Sequence, residues 1–212
     1  LAKEAIDKEA CITRRFLSKG DGDDWKPMDQ EHALGVCGGS LIVFIEPVVP
    51  EPELVIFGGG HVGLYLARLC EVLEIPCRVY DDRQEFADTG RFPKARDVIC
   101  APFTDIERHI SLTGSSYCVI MTYGHQHDQD VLEQLMTIRE VPYIGMIGSP
   151  AKAGVLIRNI KQKGGFIDNR LYCPIGLRIG RNLPGEIALS IMAEVILLMR
   201  GGSPEHMRID WS

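Results

Sequence analysis

Leu54-Val55-Ile56-Phe57 is an unbroken apolar run, and Gly58-Gly59-Gly60-His61-Val62-Gly63 follows it at once. Apolar residues in succession suit a parallel strand covered on both faces. The glycines match G-x-G-x-x-G, and the next stretch, His61–Glu74, reads as an amphipathic helix. Its apolar residues Val62, Leu66, Leu69, Cys70 and Leu73 recur with helical spacing, and Arg68, Glu71 and Glu74 fall between them. Strand, glycine turn and helix in that order define a Rossmann-type βαβ unit. Gly58 would make the tight turn, Gly60 would let a pyrophosphate approach the backbone, and Gly63 would let helix and strand pack closely. The helix start, with His61 in its first turn, offers free N–H groups and a partial positive charge to an anion. Asp81 and Asp82 close the second strand, where an acid takes a ribose 2′-hydroxyl. A carboxylate there repels a 2′-phosphate, which favours NAD or another adenine nucleotide over NADP.

The rest of the chain continues the alternation. Strands are expected at Cys77–Tyr80, Val98–Cys100, Tyr117–Met121 and Tyr143–Ile147. Helices are expected at Asp128–Glu140, from the Ser149-Pro150 cap to Gly164-Gly165, and at Pro184–Arg200. Thr104-Asp105-Ile106-Glu107 has the form of a capping box and predicts a short helix. Alternating strands and helices imply an α/β fold with a doubly wound parallel sheet. Ahead of it, residues 1–18 read as a helix, Lys19–Gln30 as a loop and Leu41–Glu46 as a strand. Pro47, Pro50 and Pro52 mark an extended linker. The expected division is a small N-terminal helix/strand appendage over 1–50 and a Rossmann-like domain over 53–212.

Composition narrows the partners. Lys and Arg total 23 against 29 Asp and Glu, and the net charge of −6 argues against nucleic acid. Seven scattered cysteines, an odd number without a CxxC pair, point to a reducing, cytoplasmic compartment. The apolar run Ile187–Met199 is broken by Ser190 and Glu194, so it reads as a core helix and not a membrane span. The same apolar helix is compatible with a homodimer interface.

Further candidate residues lie at strand ends. His125 and His127 follow the fourth strand, and in an extended segment they would point the same way. With Asp128 or Asp130 they would suit a metal, but no second histidine cluster closes a zinc site, so no metal ligand is assigned. Ligand contact or acid–base work, and simple helix capping by His127 or Asp128, stand beside that reading. Gly148 and Ser149 border the same crevice or form only a turn and cap. Arg83 would pair with Asp81 or Asp82 at the surface. Cys37, flanked by glycines in Gly35-Val36-Cys37-Gly38-Gly39, is sterically open, and its thiolate suits a soft metal or sulfur. A glycine-rich turn with an incidental cysteine fits the same five residues.

Gly35–Gly39, running on to Val43-Phe44-Ile45-Glu46-Pro47, resembles the signature of the xanthine dehydrogenase accessory protein family, XdhC/CoxI. Leu54–Gly63 with Asp81-Asp82, Thr122–Asp128, Tyr143–Ser149, Pro174-Ile175-Gly176-Leu177 and Pro184–Glu194 are similar to its C-terminal Rossmann domain. The resemblance implies a chaperone, not an enzyme, that binds molybdenum cofactor (molybdopterin). It implies assistance in sulfuration and delivery to a molybdenum hydroxylase apoenzyme such as xanthine dehydrogenase, with a cysteine desulfurase as a further partner. It makes Cys37 the contact to molybdenum or its sulfur. An NAD-dependent oxidoreductase and a nucleotide-sensing regulatory module are the alternatives. Family members usually carry a further glycine-rich N-terminal stretch, and the family pattern has Thr or Ser where Leu183 precedes Pro184.

Overall fold

The computed structural model describes residues 1–8, 10–18, 25–27, 40–48, 50–180 and 182–209. The chain divides into two compact units, Leu1–Pro50 and Glu51–Ser212.

In the first unit a short helix, α1 (Ala2–Lys8), precedes β1 (Ile12–Ser18), β2 (Trp25–Pro27) and β3 (Ser40–Ile45). They form an antiparallel sheet of order β2-β1-β3. The helix expected over 1–18 therefore ends at Lys8, and its second half is a strand. Ile12 pairs with Ile45 and Phe16 with Leu41, a partnership across the sequence that local spacing does not carry. The expected loop Lys19–Gln30 likewise contains β2. Pro27 is tolerated there because β2 is an edge strand.

The second unit holds six parallel strands: β4 (Glu53–Phe57), β5 (Cys77–Asp81), β6 (Asp97–Cys100), β7 (Ser116–Ile120), β8 (Tyr143–Met146) and β9 (Leu171–Tyr172). Their order is β6-β5-β4-β7-β8-β9. The chain starts in the middle of the sheet, winds to one edge, then returns and winds to the other. That is the doubly wound Rossmann order, with its switch point between β4 and β7. Helices α2 (His61–Val72), α3 (His125–Thr137), α4 (Pro150–Gln162) and α5 (Pro184–Arg200) cover the faces. Successive residues of β4 feed opposite cores. Leu54 and Ile56 pack with Leu66 and Cys70 of α2 and Ile191 and Val195 of α5. Val55 and Phe57 pack with Leu132 and Leu135 of α3 and Leu156 and Ile160 of α4. All four β4 side chains are fully buried, and each contributes about 1.5–3 kcal/mol. No described helix is long and apolar enough to cross a membrane.

Two local expectations fail, one to a distant partner and one to a polar first turn. The Thr104–Glu107 capping box does not form; the segment makes one 3₁₀ turn, Ile106–Arg108, after Asp105, with no side-chain cap. Gln134 of α3 instead accepts the Ile106 N–H at 2.8 Å. Helix α3 begins at His125, three residues ahead of the expected Asp128; its polar first turn lacks the apolar periodicity that would reveal it in the sequence. At α4 the expected cap holds: the Ser149 hydroxyl accepts the Lys152 N–H at 3.2 Å.

At the amino-terminal ends of β4, β5 and β7 lies a buried polar cluster invisible in the sequence pattern. Glu53 pairs with Arg78 and accepts the Ser116 hydroxyl at 2.9 Å, and Arg78 also donates to the Ser111 carbonyl at 3.0 Å. Both charged residues are buried, so removing one leaves the other uncompensated. Glu53→Ala is expected to destabilise the protein by about 3 kcal/mol, read from urea denaturation, while Glu53→Ala with Arg78→Met recovers most of the loss.

A candidate ligand crevice at the switch point

The glycine loop joins β4 to α2 at the carboxyl end of the sheet. Gly58 has φ +123°, and a Cβ there would overlap the Met121 carbonyl at the end of β7. A Cβ on Gly63 would overlap the Gly58 carbonyl, so α2 approaches the turn as closely as backbone allows. Gly59, given no role in the sequence reading, faces the Phe86 carbonyl with equally little room. Around Gly60, by contrast, the Cβ direction is open space. Gly60 caps α2 without any side-chain hydrogen bond, and His61 after it is exposed. The first N–H groups of a helix have no partner within it, so this end is a polar, positively biased cradle.

The loop is braced from the β5 side. Asp81 has no solvent exposure. Its Oδ2 accepts the Gly59 N–H at 2.8 Å and Arg83 Nη2 at 3.0 Å. Its Oδ1 accepts Arg83 N at 3.1 Å and Nε at 2.9 Å. Asp81, expected to take a ribose hydroxyl, is here buried, and its carboxylate already accepts four hydrogen bonds from the protein. The pair expected between Arg83 and the acids forms, with Asp81, but it is partly buried and not at the surface. The Arg83 guanidinium lies between the rings of Phe86 and Tyr123, 3.8 and 4.0 Å from their centroids. The Asp81 hydrogen bonds hold the Arg83 pKa above its ordinary value. Arg91 completes the brace by donating to the Gly59 carbonyl at 3.1 Å.

Asp82, partly exposed, is the acid that remains at the end of β5, and its Oδ2 accepts the Tyr123 hydroxyl at 3.0 Å. Tyr123 in turn lies against His127, 4.7 Å between ring centroids, and Phe103 backs the imidazole at 5.5 Å. Local desolvation, and then the Asp82 contact, push the Tyr123 hydroxyl above its usual pKa.

His125 and His127 do not lie in an extended segment. Both are in the first turn of α3, where residues two apart face different directions, so the shared-face reading fails. Neither does His127 or Asp128 cap α3; Gly124 holds that position. His125 instead lines a cavity of about 380 Å³ between α3 and α4, with Gln129, Lys152 and Val155. Among the described residues, no three His, Cys, Asp or Glu side chains gather as a metal site.

On the β7–β8 side, Asp128 is almost fully buried and accepts the Thr122 N–H at 3.1 Å, the Thr122 hydroxyl at 2.6 Å and the Lys152 ammonium at 2.6 Å. Lys152 thereby ties α4 to the β7–α3 turn. Gly148 sits between the Lys152 stem and Cys173, whose sulfur lies 3.7 Å from the Gly148 Cβ direction. Burial raises the Cys173 thiol pKa, with Lys152 opposing. Gly58 abuts Met121 and Thr122, so the loop, Thr122, Asp128 and Lys152 form one continuous wall. Gly148 and Ser149 join this side of the crevice. The sequence places Arg83 beside the acid pair and Tyr123 in the Thr122–Asp128 segment after the fourth strand, but carries no signal for the contacts of Arg91 or Lys152, whose partners lie 32 and 24 residues away. Cys37 and its glycine neighbours lie outside the described residues.

Strand order, a helix start capped only by glycine and a braced glycine loop define a Rossmann-type domain. Residues 54–195 match the XdhC Rossmann domain, and the chain belongs to that family. It is 31% identical over 154 residues to a protein of Bacillus subtilis described as a probable xanthine dehydrogenase subunit, covering 73% of this chain and 45% of that protein. It is 28% identical over 163 residues to an uncharacterized Escherichia coli protein, YqeB, covering 76% of this chain and 30% of that one. The chain thus spans less than half the length of either relative. A crystal structure of a xanthine dehydrogenase from Bacillus halodurans superimposes with a TM-score of 0.66 at 23% identity, over 96% of this chain and 64% of that one, a likeness of fold.

The two ends of the glycine loop should respond differently to a methyl group. Gly58→Ala meets both a positive φ and the Met121 carbonyl and is expected to cost at least ~2 kcal/mol in thermal denaturation. Gly60→Ala enters open space and is expected to cost only about 1 kcal/mol, the ordinary preference for glycine over alanine at a helix N-cap.

Proposed function

We propose that this chain is the ligand-holding part of an accessory protein that binds molybdenum cofactor and assists its sulfuration and insertion into a molybdenum hydroxylase such as xanthine dehydrogenase. The observation that carries the reading is the open, uncapped glycine cradle at the switch point of a chain belonging to the XdhC Rossmann domain family. The name of the Bacillus subtilis relative supports a link to a xanthine dehydrogenase system.

The cradle fits the phosphate or pyrophosphate that such a cofactor carries. Gly58 and Gly60 would admit it to the backbone, and the N–H groups of His61 and its neighbours would hold the charge. Asp82, His127, Gly148 and Ser149, which follow other strands of the same sheet at its carboxyl end, would contact the rest of it. When bound, the group supplies a soft metal centre with sulfur ligands. The Cys37 thiolate matches such a centre chemically, an assignment that rests on the family resemblance. The buried Asp81–Gly59 bond keeps the loop in its binding shape before any ligand arrives. The role is that of a cytoplasmic carrier without turnover, working with the hydroxylase apoenzyme and a cysteine desulfurase, either alone or as a homodimer.

Protein made in a cofactor-replete host is expected to carry molybdenum and a fluorescent pterin, and to pass them to apoenzyme. Metal and pterin at background, with no transfer, would end this reading. Cys37→Ser is expected to lose cofactor retention with an unchanged circular dichroism spectrum; unchanged retention would remove Cys37 from the site.

One observation favours a second reading, binding of NAD or another adenine nucleotide: Asp82 stands at the end of β5 beside the cradle. Calorimetry with NAD and a redox screen separate the two, since tight binding with turnover would make the protein an oxidoreductase, and binding without turnover a nucleotide sensor.

A further inference from the structure

We propose that Cys70 and Cys77 are a site of reversible thiol oxidation, whose disulfide locks the last turn of α2 to the start of β5. The site is independent of what the glycine loop holds.

The two thiols sit on consecutive elements. Cys70 lies in the last turn of α2, and Cys77 is the first residue of β5. Both are free and buried, in the core that α2 and α5 share with one face of the sheet. Their side chains meet, with the Cys70 thiol donating to the Cys77 sulfur. A thiol is a weak donor and sulfur a weak acceptor, so the contact adds little to stability. Two hydrocarbon side chains would fill the same core. What two touching thiols add is the chemistry they can do together.

The backbone holds them at this separation. Helix α2 ends in a Schellman turn, in which the Ile75 N–H donates to the Cys70 carbonyl at 2.9 Å and the Glu74 N–H to the Glu71 carbonyl at 3.3 Å. Glu74 takes the left-handed conformation, φ +55°, that such a turn usually gives to glycine. The chain thus reverses between Cys70 and Cys77. On the other side β5 is fixed, since Cys77 pairs with Leu54 in the sheet and its carbonyl accepts the Arg96 N–H at 2.8 Å. Disulfide sulfurs stand about 2.0 Å apart, a short step from hydrogen-bond contact.

Access comes through the turn itself. Residues 71–74 are all exposed, and a helix end with a non-glycine residue at positive φ opens at less cost than the core does. The pair is also asymmetric. The hydrogen bond from Cys70 holds the Cys77 thiol below its ordinary pKa, while the same contact and burial push Cys70 up. Cys77 is therefore the thiolate that attacks first. The oxidant is a small disulfide such as oxidised glutathione. Cys77 loses its proton to water and attacks one glutathione sulfur, and the other leaves as a thiolate and is protonated. Cys70 then loses its proton, attacks the Cys77 sulfur and expels the second glutathione thiolate, which is protonated in turn. Two protein thiols become one disulfide, and one small disulfide becomes two thiols. In a reducing compartment such a bond is transient and follows the redox poise.

Treatment of the folded full chain with oxidised glutathione, then blocking of free thiols and tryptic mass mapping, tests this. Trypsin cuts after Arg68 and Arg78, so both cysteines fall in the peptide Leu69–Arg78. The expected product is that peptide short of two hydrogens and closed to the blocking reagent, with dithiothreitol restoring both thiols. The exposed Cys11 and Cys100 should carry glutathione instead. Oxidation is expected to raise the Tm of wild type by about 5 °C, the effect of closing so short a loop. Cys77→Ala, treated alike, should show neither the internal bond nor the rise. If Cys70 and Cys77 stay reduced while Cys11 and Cys100 react, or if they join only in urea, the proposal is overturned. A bond that forms without raising the Tm would overturn the lock.

Discussion

The Asp81 carboxylate holds the crevice together. A charge with no solvent exposure is tolerable only when donors surround it, and the Gly59 N–H, the Arg83 backbone and the Arg83 guanidinium supply them. Each donor carries a further piece of the site. Gly59 fixes the turn that points the start of α2 outward. Arg83, held flat, becomes the surface on which Phe86 and Tyr123 stack. Tyr123 then reaches Asp82, the neighbouring acid. One buried carboxylate thus shapes the glycine loop and, through Arg83 and Tyr123, the surroundings of the adjacent acid.

The second wall has the same logic. Asp128 is buried and satisfied by Thr122 and Lys152, which binds the end of β7, the start of α3 and the start of α4 into one unit. Gly58 closes against the Met121 carbonyl, so the two halves of the sheet meet without side chains between them. The floor of the crevice is therefore cross-braced from both sides.

Much of this is legible in the order of the amino acids alone. The continuous apolar run at Leu54–Phe57 and the glycines after it dictate strand, turn and helix through sterics, and Gly58 and Gly63 lie where those sterics require them. The Ser149-Pro150 start and the Gly201 stop of the later helices are equally local. What the sequence misplaced depends on distant partners. Residues 12–18 become a strand because 40–45 pair with them. The capping box at Thr104 yields to Gln134 on another element. The histidines at 125 and 127 part company because their turn is helical, and a polar first turn carries no apolar period to reveal it.

By itself, then, the sequence determined the α/β class, the winding of the sheet and the position of the phosphate-type loop, because backbone sterics and hydrophobic period act over a few residues. The tertiary structure alone decided which of two adjacent acids is fully buried and which keeps some exposure. Asp81 and Asp82 are identical side chains in consecutive positions, and successive residues leaving a strand face opposite ways. Asp81 turns inward to Gly59 and Arg83, and Asp82 turns to Tyr123. That choice rests on contacts with residues far along the chain, which no local pattern around positions 81 and 82 encodes.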